Sequence, residues 1–217
     1  MTHPPHAENV LVVIAHPDDE SFGLGAIIDA FIGQGSVAKV LCLTRGEAST
    51  LGAHPELSAQ RERELSTACD ALGVDSFELC DFPDGGLAEM ERQQLVGRVG
   101  QAVAGFEPHL ILTFDPLEGV TGHRDHQAAT EAAMTVAKAR RIPILGWALP
   151  EEVASTVNEE FGTGLAGYPA DELDLTLEVV RDVQMQAVRA HTSQAVPGSL
   201  LWRRLELLGD REYLRNL

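Results

Sequence analysis

Two short segments of this 217-residue sequence concentrate side chains that could do chemistry. AHPDDE contains a histidine, His16, followed by three consecutive carboxylates that end at Glu20. GHRDH places His123 and His126 three positions apart. Carboxylates this close repel one another, and a cation among them would offset that repulsion. The two segments therefore predict a metal site.

His16 and Asp19 lie within one short turn, so both can reach the same ion. A third ligand can come from His123 or His126, which share one face if a helix begins there, while the other faces the substrate. Two histidines, one carboxylate and an open position are typical of hydrolytic zinc sites. The same donors also suit ferrous iron. Such a metal would lower the pKa of a bound water from ~15.7 to about 7.

Asp18 precedes the candidate ligand Asp19 and should point away from it, as neighbours in an extended loop do. We expect Asp18 to accept the proton of the attacking water. Glu20 is expected to open the following helix, where its charge suits the positive N-terminus. The alternatives are a helix-capping turn for AHPDDE and a surface turn for GHRDH. The position of both segments after strands of one sheet favours a site.

Short apolar runs alternate with amphipathic segments along the chain. The predicted strands are residues 10–15, 37–43, 77–80, 110–114 and 142–147, with a further edge strand at 173–179. The predicted helices are residues 21–33, 58–72, 87–104, 121–139, 180–191 and 200–208. This alternation predicts an α/β fold in which helices cover both faces of a mostly parallel sheet.

Parallel sheets place ligand sites beyond the carboxyl ends of their strands. The segments that follow the first four predicted strands are AHPDDE, TRGEAS, DFPDGG and FDPLEGVTGHRDH. Each contains carboxylates, histidine or arginine. We expect these loops to meet at one edge of the sheet and form one site.

The formal net charge of -17 is spread along the chain. That charge argues against binding to nucleic acid or anionic membranes, since both need clustered cations. The beginning of the chain does not resemble a signal peptide, and we see no apolar run of membrane-spanning length, so a cytoplasmic protein is expected. The three cysteines are odd in number and widely spaced, which is typical of buried free thiols.

Three motifs, AHPDDE, TRGEAS and GHRDH in this order, resemble the LmbE-like, or PIG-L, family of metal-dependent N-acetylglucosaminyl deacetylases. RERELSTACDALGV, DFPDGGL and AVRAHTSQ extend the resemblance over nearly the whole chain. The resemblance implies a single Rossmann-like, three-layer α/β domain over residues 1–217. It also implies a small-molecule N-acetylated sugar conjugate as substrate. A homo-oligomer is left open.

The resemblance also implies roles for individual residues. The implied metal ligands are His16, Asp19 and His126. Asp18 would be the general base. His123 would stabilise the oxyanion and help to protonate the leaving amine, and Asp125 would orient its imidazole.

Further positions match the sugar contacts of the family: Glu47, Arg61 and Asp84. His191 belongs to the late HTSQ motif, where it is expected to support the metal-binding loop. Arg61 could instead be a surface ion-pair partner of Glu64. The sequence departs from the family at Arg124 and Gln184, neither of which is a proposed ligand.

Two other functions remain as alternatives. A metal-dependent phosphoesterase would need a second metal site and cationic groups, of which the loops offer Arg45, Arg61 and Arg124. A non-hydrolytic Rossmann-type nucleotide-binding domain would need GxGxxG after the first strand, where AHPDDE would repel a pyrophosphate. Residues 148–167 are expected to form a loop that shapes the substrate site.

Overall fold

The structure of the protein is a computed structural model that describes residues 2–217. Within these residues the chain forms a seven-stranded sheet of order β3-β2-β1-β4-β5-β7-β6. The strands are β1 (Asn9–Ile14), β2 (Val37–Thr44), β3 (Ser76–Phe82), β4 (Leu110–Phe114), β5 (Ile144–Ala148), β6 (Leu175–Glu178) and β7 (Arg211–Asn216). Strands β1 to β5 pair in parallel, and β7 runs antiparallel to both β5 and β6.

Helices cover both faces of the sheet. They are α1 (Asp19–Phe22), α2 (Gly25–Gly33), α3 (Leu57–Leu72), α4 (Arg92–Phe106), α5 (Arg124–Arg140), α6 (Glu151–Phe161), α7 (Asp182–Ala190) and α8 (Leu200–Leu208). None of these helices is long and apolar enough to cross a membrane. The predicted three-layer α/β architecture is thus confirmed.

The central strand β1 explains why its sequence is continuously apolar. Val10, Val12 and Ile14 face the cluster that includes α2 and α3. Leu11 and Val13 face the cluster that includes α4 and α5. Because a parallel strand with helices on both sides has no solvent face, it does not alternate apolar with polar residues.

The first predicted helix is interrupted in the structure. It begins at Asp19 rather than residue 21, and it breaks between α1 and α2. A Cβ atom on Gly23 would lie 2.7 Å from Phe114 Cζ. The break therefore brings the backbone close to the end of β4, an approach that a larger residue would obstruct.

Two elements of the structure were not predicted. The segment expected as a substrate-shaping loop contains α6 instead, and this helix packs against α8. Val153, Ala154 and Val157 form its buried face at helical spacing, a signal present in the sequence. The charged sequence of β7 has no apolar pattern that would predict a strand. It is a strand because it pairs with β5 on one side and with β6 on the other.

Candidate metal centre and active site

The turn between β1 and α1 is fixed by the Asp19 carboxylate. Its Oδ2 accepts hydrogen bonds from the backbone N–H groups of Ala15 at 3.2 Å and His16 at 2.9 Å. Asp18, one residue earlier, has a φ of 129°, a conformation that non-glycine residues rarely adopt. Strain of this kind persists where surrounding contacts hold it, often at functional sites.

Three buried side chains direct donor atoms at one point. His16 Nδ1 lies 3.2 Å from His126 Nε2. Asp19 Oδ1 lies 3.1 Å from His126 Nε2, and Asp19 Oδ2 lies 3.7 Å from His16 Nδ1. Bonds of about 2.0–2.1 Å in a tetrahedral zinc site separate neighbouring ligand atoms by about 3.3 Å. One donor atom from each of the three side chains thus lies close enough to the others for a single ion to bind all three.

The opposite nitrogen of His126 is engaged by the loop before α5. Nδ1 lies 2.8 Å from Thr121 Oγ1 and 3.2 Å from the Gly119 carbonyl oxygen. A carbonyl oxygen can only accept, so Nδ1 bears the proton and Nε2 is left as a ligand. A Cβ on Gly119 would lie 2.7 Å from His126 Cβ, so this close approach requires glycine.

His16 is surrounded by more negative charge than it can balance. Its Nε2 lies 3.1 Å from Asp84 Oδ1 and 3.4 Å from Asp125 Oδ2. Burial alone would lower the pKa of His16, but Asp125, Asp19 and Asp84 outweigh burial and raise that pKa well above its usual value. The surplus of carboxylates favours an additional cation at this point.

The Asp125 side chain makes a different contact from the one that the resemblance implies. Its carboxylate accepts hydrogen bonds from Gly85 N–H at 2.8 Å and Leu87 N–H at 3.0 Å. The link to His123 is made by the backbone, where Asp125 N–H donates to His123 Nδ1 at 3.2 Å. Because the carboxylate is turned towards the loop after β3, it positions that loop and His16.

His123 occupies the N-cap position of α5 and lines the cleft. Since its Nδ1 accepts a hydrogen bond, its Nε2 bears the proton in the neutral ring and can donate. Burial, followed by the nearby charges of His16 and His126, lowers the pKa of His123. The ring is thus placed as a hydrogen-bond donor.

Arg61 holds the Asp18 carboxylate and is not a surface ion-pair partner of Glu64. It is 3% exposed, and its Nη2 lies 2.9 Å from Asp18 Oδ2. It also donates to the carbonyl oxygens of Gly46 and Pro17. Burial raises the pKa of Asp18 to about 6, although Arg61 opposes the shift. A carboxylate that titrates near neutral pH suits a general base.

Asp84 and Glu47 tie two loops at the rim together. Asp84 N–H donates to Glu47 Oε1 at 3.0 Å, and Ala48 N–H donates to Asp84 Oδ2 at 2.7 Å. Asp84 and Arg61 line the cleft, whereas the exposed Glu47 lies outside its lining. The structure therefore brings two of the three predicted sugar-contacting residues to the inner wall.

Glu20 has a role that the sequence did not predict. It is fully buried, and its Oε1 lies 2.6 Å from His191 Nε2. Its Oε2 accepts a hydrogen bond from Asp18 N–H at 3.0 Å. Burial lowers the pKa of His191, but Glu20 outweighs burial and raises it. The pair therefore links His191 to the turn that carries Asp18 and Asp19.

Comparison with known proteins agrees with this geometry. Residues 11–137, more than half of the chain, match the PIG-L family model, described as GlcNAc-PI de-N-acetylase. The chain belongs to the PIG-L family. A relative in Bacillus subtilis, the probable N-acetyl-alpha-D-glucosaminyl L-malate deacetylase 2, is 27% identical over an alignment of 195 residues that covers 86% of this chain and 83% of that protein.

Solved structures share the fold of this PIG-L protein. Teicoplanin deacetylase Orf2, in its zinc-inhibited form, has a TM-score of 0.72 at 20% identity, over 96% of this chain and 97% of that chain. The 4-carboxy-2-hydroxymuconate hydratase GalB of Pseudomonas putida KT2440 has a TM-score of 0.66 at 19% identity, over 97% and 96% of the two chains. Since a hydratase shares the fold, the fold alone does not specify the reaction.

The cleft of this PIG-L protein extends from the candidate metal ligands towards α8 and has a volume of about 470 Å³. Ser49 and Asp84 line its polar side. Phe22 and Phe114 line an apolar side together with α8, whose residues were not predicted as part of the site. Those α8 residues are Leu200, Leu201 and Arg204.

Proposed function

We propose that this protein is a metal-dependent N-deacetylase that removes the acetyl group from an N-acetylglucosamine conjugate or a related small N-acyl amine. One observation carries the proposal: the three donors His16, Asp19 and His126 converge beside a cleft that Asp18 and His123 also line. Amide hydrolysis needs an electrophile activator, a base and a proton donor. The three donors would hold the activating ion, Asp18 would be the base, and His123 would be the hydrogen-bond donor.

The ion proposed for His16, Asp19 and His126 is zinc, with ferrous iron as the alternative. Two imidazoles and one carboxylate with an open position suit either ion. When bound, such an ion polarises the amide carbonyl and lowers the pKa of water. A second possible donor group, His16 with His123 and Asp125, reuses His16. Each oxygen of Asp125 already accepts a backbone hydrogen bond, whereas both backbone hydrogen bonds to Asp19 go to Oδ2.

Asp18 is proposed as the general base. Its Oδ2 is held by Arg61 at 2.9 Å, which fixes the direction of the carboxylate. Because neighbouring Asp19 is committed to the backbone turn and to the donor cluster, Asp18 is the carboxylate of this turn left to take a proton from water.

His123 is proposed as the donor that acts on the substrate. Its Nε2–H would stabilise negative charge on the carbonyl oxygen as the tetrahedral intermediate forms. The amine nitrogen must gain a proton before the carbon–nitrogen bond breaks, and Asp18 can pass on the proton that it took from water, while the neutral His123 ring keeps its Nε2 proton and donates a hydrogen bond. The proton removed from water by Asp18 is then the one given to the amine.

The sugar is proposed to contact the side of the cleft formed by the loops after β2 and β3. Asp84 lies at that side, and Glu47 lies at its rim. Arg61 already donates to Asp18, Gly46 and Pro17, so we propose that it acts on the sugar mainly by holding this loop and the base. Carboxylates at these positions can accept hydrogen bonds from sugar hydroxyls.

Release of acetate and free amine tests this function. Purified protein is stripped of metal, reloaded with zinc or anaerobically with ferrous iron, and offered N-acetylglucosamine conjugates with neutral and acidic substituents. The expected result is amine release by one reloaded form and none by the stripped form. A parallel panel of phosphate monoesters tests the alternative. Hydrolysis of phosphate esters without any amine release from the sugar conjugates would overturn the proposal.

A further inference from the structure

A buried arginine without a carboxylate partner lines the apolar side of the cleft. Arg204 is 4% exposed, and its Nη2 donates to the Phe22 carbonyl oxygen. Its Nε is buried without a hydrogen-bond partner among residues 2–217. No carboxylate of these residues forms an ion pair with its guanidinium. A buried charge left this way costs stability.

The Arg204 guanidinium contacts an aromatic ring, and the charged groups around it lie beyond ion-pair distance. The guanidinium stacks on the Trp147 ring at 4.8 Å. Trp147 Nε1 donates to Glu212 at 2.8 Å, and Glu212 also accepts from Arg181 Nη1 at 2.5 Å. Glu212 and Asp19 act on Arg204 only through space, and Arg181 opposes them. Burial lowers the pKa of Arg204 to about 10, a value at which the group stays charged at neutral pH.

Arg204 also differs from the other buried guanidinium of the cleft. Arg61 also has a buried Nε without a partner, but Asp18 neutralises its charge, and its other nitrogens donate to two carbonyl oxygens. A buried guanidinium without an ion-pair partner is therefore a local feature of the α8 side of the cleft. This feature is notable in a chain with a formal net charge of -17.

We propose that Arg204 binds a carboxylate of the ligand in the cleft. This proposal rests on the proposed deacetylation for the ligand's identity. A guanidinium binds a carboxylate through paired, charge-assisted hydrogen bonds, and Arg204 has donors left for them. The carboxylate has two possible sources: the acetate that the reaction releases, or an acidic substituent on the sugar conjugate.

Binding to Arg204 can be measured without turnover. The chain has two tryptophans, so Trp202→Phe leaves Trp147, on which Arg204 stacks, as the sole tryptophan reporter. Metal-stripped protein is titrated with acetate and succinate, and in parallel with the neutral amides acetamide and succinamide. The carboxylates are expected to change the Trp147 emission and to bind about 10- to 100-fold more tightly than their amides. Equal affinity for both members of each pair would overturn the proposal.

Variants on α8 assign the effect to Arg204. Arg204→Met should abolish the preference for carboxylates, and Arg204→Lys should retain part of it. Arg203→Met is the matched control, because Arg203 pairs with Glu160 and Glu206 outside the cleft and should leave the preference intact. If Arg204→Met does not fold, the preference for carboxylates over amides is compared between Arg204→Lys and the parent protein instead. A carboxylate preference that survives in folded Arg204→Met would overturn the assignment.

Kinetics with the reloaded enzyme distinguish the two sources. If Arg204 binds the acetate product, Arg204→Met should weaken product inhibition by acetate about 10- to 100-fold. If it binds an acidic substituent, the same variant should raise KM for acidic conjugates and leave KM for neutral conjugates unchanged. Either pattern supports carboxylate binding. If the active Arg204→Met enzyme shows no change in acetate inhibition and no change in KM for acidic conjugates, that result contradicts carboxylate binding. If the protein is not a deacetylase, the reloaded enzyme shows no turnover. The fluorescence titration does not depend on turnover, so it still tests carboxylate binding by Arg204.

Discussion

The imidazole of His191 and the carboxylate of Glu20 meet at 2.6 Å although 171 positions separate them in the sequence. Both side chains are 0% exposed. Glu20 also accepts a hydrogen bond from Asp18 N–H, so this pair connects the late HTSQ motif to the turn that carries Asp18 and Asp19. The C-terminal part of the chain thereby helps to position the candidate base.

His191→Ala should destabilise the protein by about 3–5 kcal/mol, since it leaves the buried Glu20 carboxylate without its partner. The free energy of unfolding from denaturant titration measures this loss. His109→Ala is the control, because the His109 side chain is 54% exposed and should change stability by no more than about 0.5 kcal/mol. Equal stabilities of the two variants would contradict a structural role for the pair.

His126→Ala should lower the bound metal well below one ion per chain, because it removes a donor that faces both His16 and Asp19. The fold should survive, since the sheet does not depend on this side chain. Metal content by inductively coupled plasma mass spectrometry, with circular dichroism beside it, checks both statements. Parent-level metal in folded His126→Ala would remove His126 from the ligand set.

Asp18→Asn should retain the metal and lower kcat by about 10²- to 10⁴-fold, the usual contribution of a general base. Asparagine tolerates the positive φ of this position, so the backbone should be unchanged. The Asp18 side chain makes no capping hydrogen bond to α1, so no loss of capping is expected. Near-normal turnover by the metal-loaded variant would point to another base, with Glu47 the next candidate.

Gly46→Ala and Arg61→Met should both lower kcat, because each removes the Arg61 guanidinium from Asp18. A Cβ on Gly46 would collide with Arg61 Nη1, and the residue has a φ of +66°. Displacing Arg61 releases Asp18, so kcat should fall while metal content is retained. Gly100→Ala is the control, because a Cβ there has no heavy atom within 4 Å. A normal kcat in Gly46→Ala would show that Arg61 does not position the base.

The stability of the protein should fall in acid through Glu64. Burial would raise the pKa of Glu64, but hydrogen bonds from Ser193, Thr192 and Gln60 outweigh it and lower that pKa in the folded state. Its contribution is therefore present above the unfolded-state pKa of about 4.3 and is lost as the pH falls through the lower folded-state value.

Denaturant titrations between pH 7 and pH 3 test this dependence. Glu64→Gln should be less stable than the parent at pH 7, and the difference should shrink in acid. Glu56→Gln, at an exposed residue without a capping hydrogen bond from its side chain, should follow the parent. A constant difference between parent and Glu64→Gln at every pH would exclude the mechanism.

Much of the fold could be predicted because its signals are local. The apolar run ending at Ile14 predicts β1, and the alternation of strands and helices predicts the parallel sheet, in which the segments around His16 and His126 meet at one edge. The sequence of α6 carries apolar residues at helical spacing, although a loop is predicted there. The charged strand β7 could not be predicted, since its pairing partners lie far away along the chain.

The sequence by itself determined which residues could do chemistry: histidines and carboxylates with metal-ligand spacing, placed after strands of one parallel sheet. The tertiary structure decided what each of them contacts. It placed the Asp125 carboxylate beside His16, paired Arg61 with Asp18, and left Arg204 without a carboxylate. The physical reason is that ion pairs and burial depend on distances between remote segments, and those distances exist only once helices and sheet have packed.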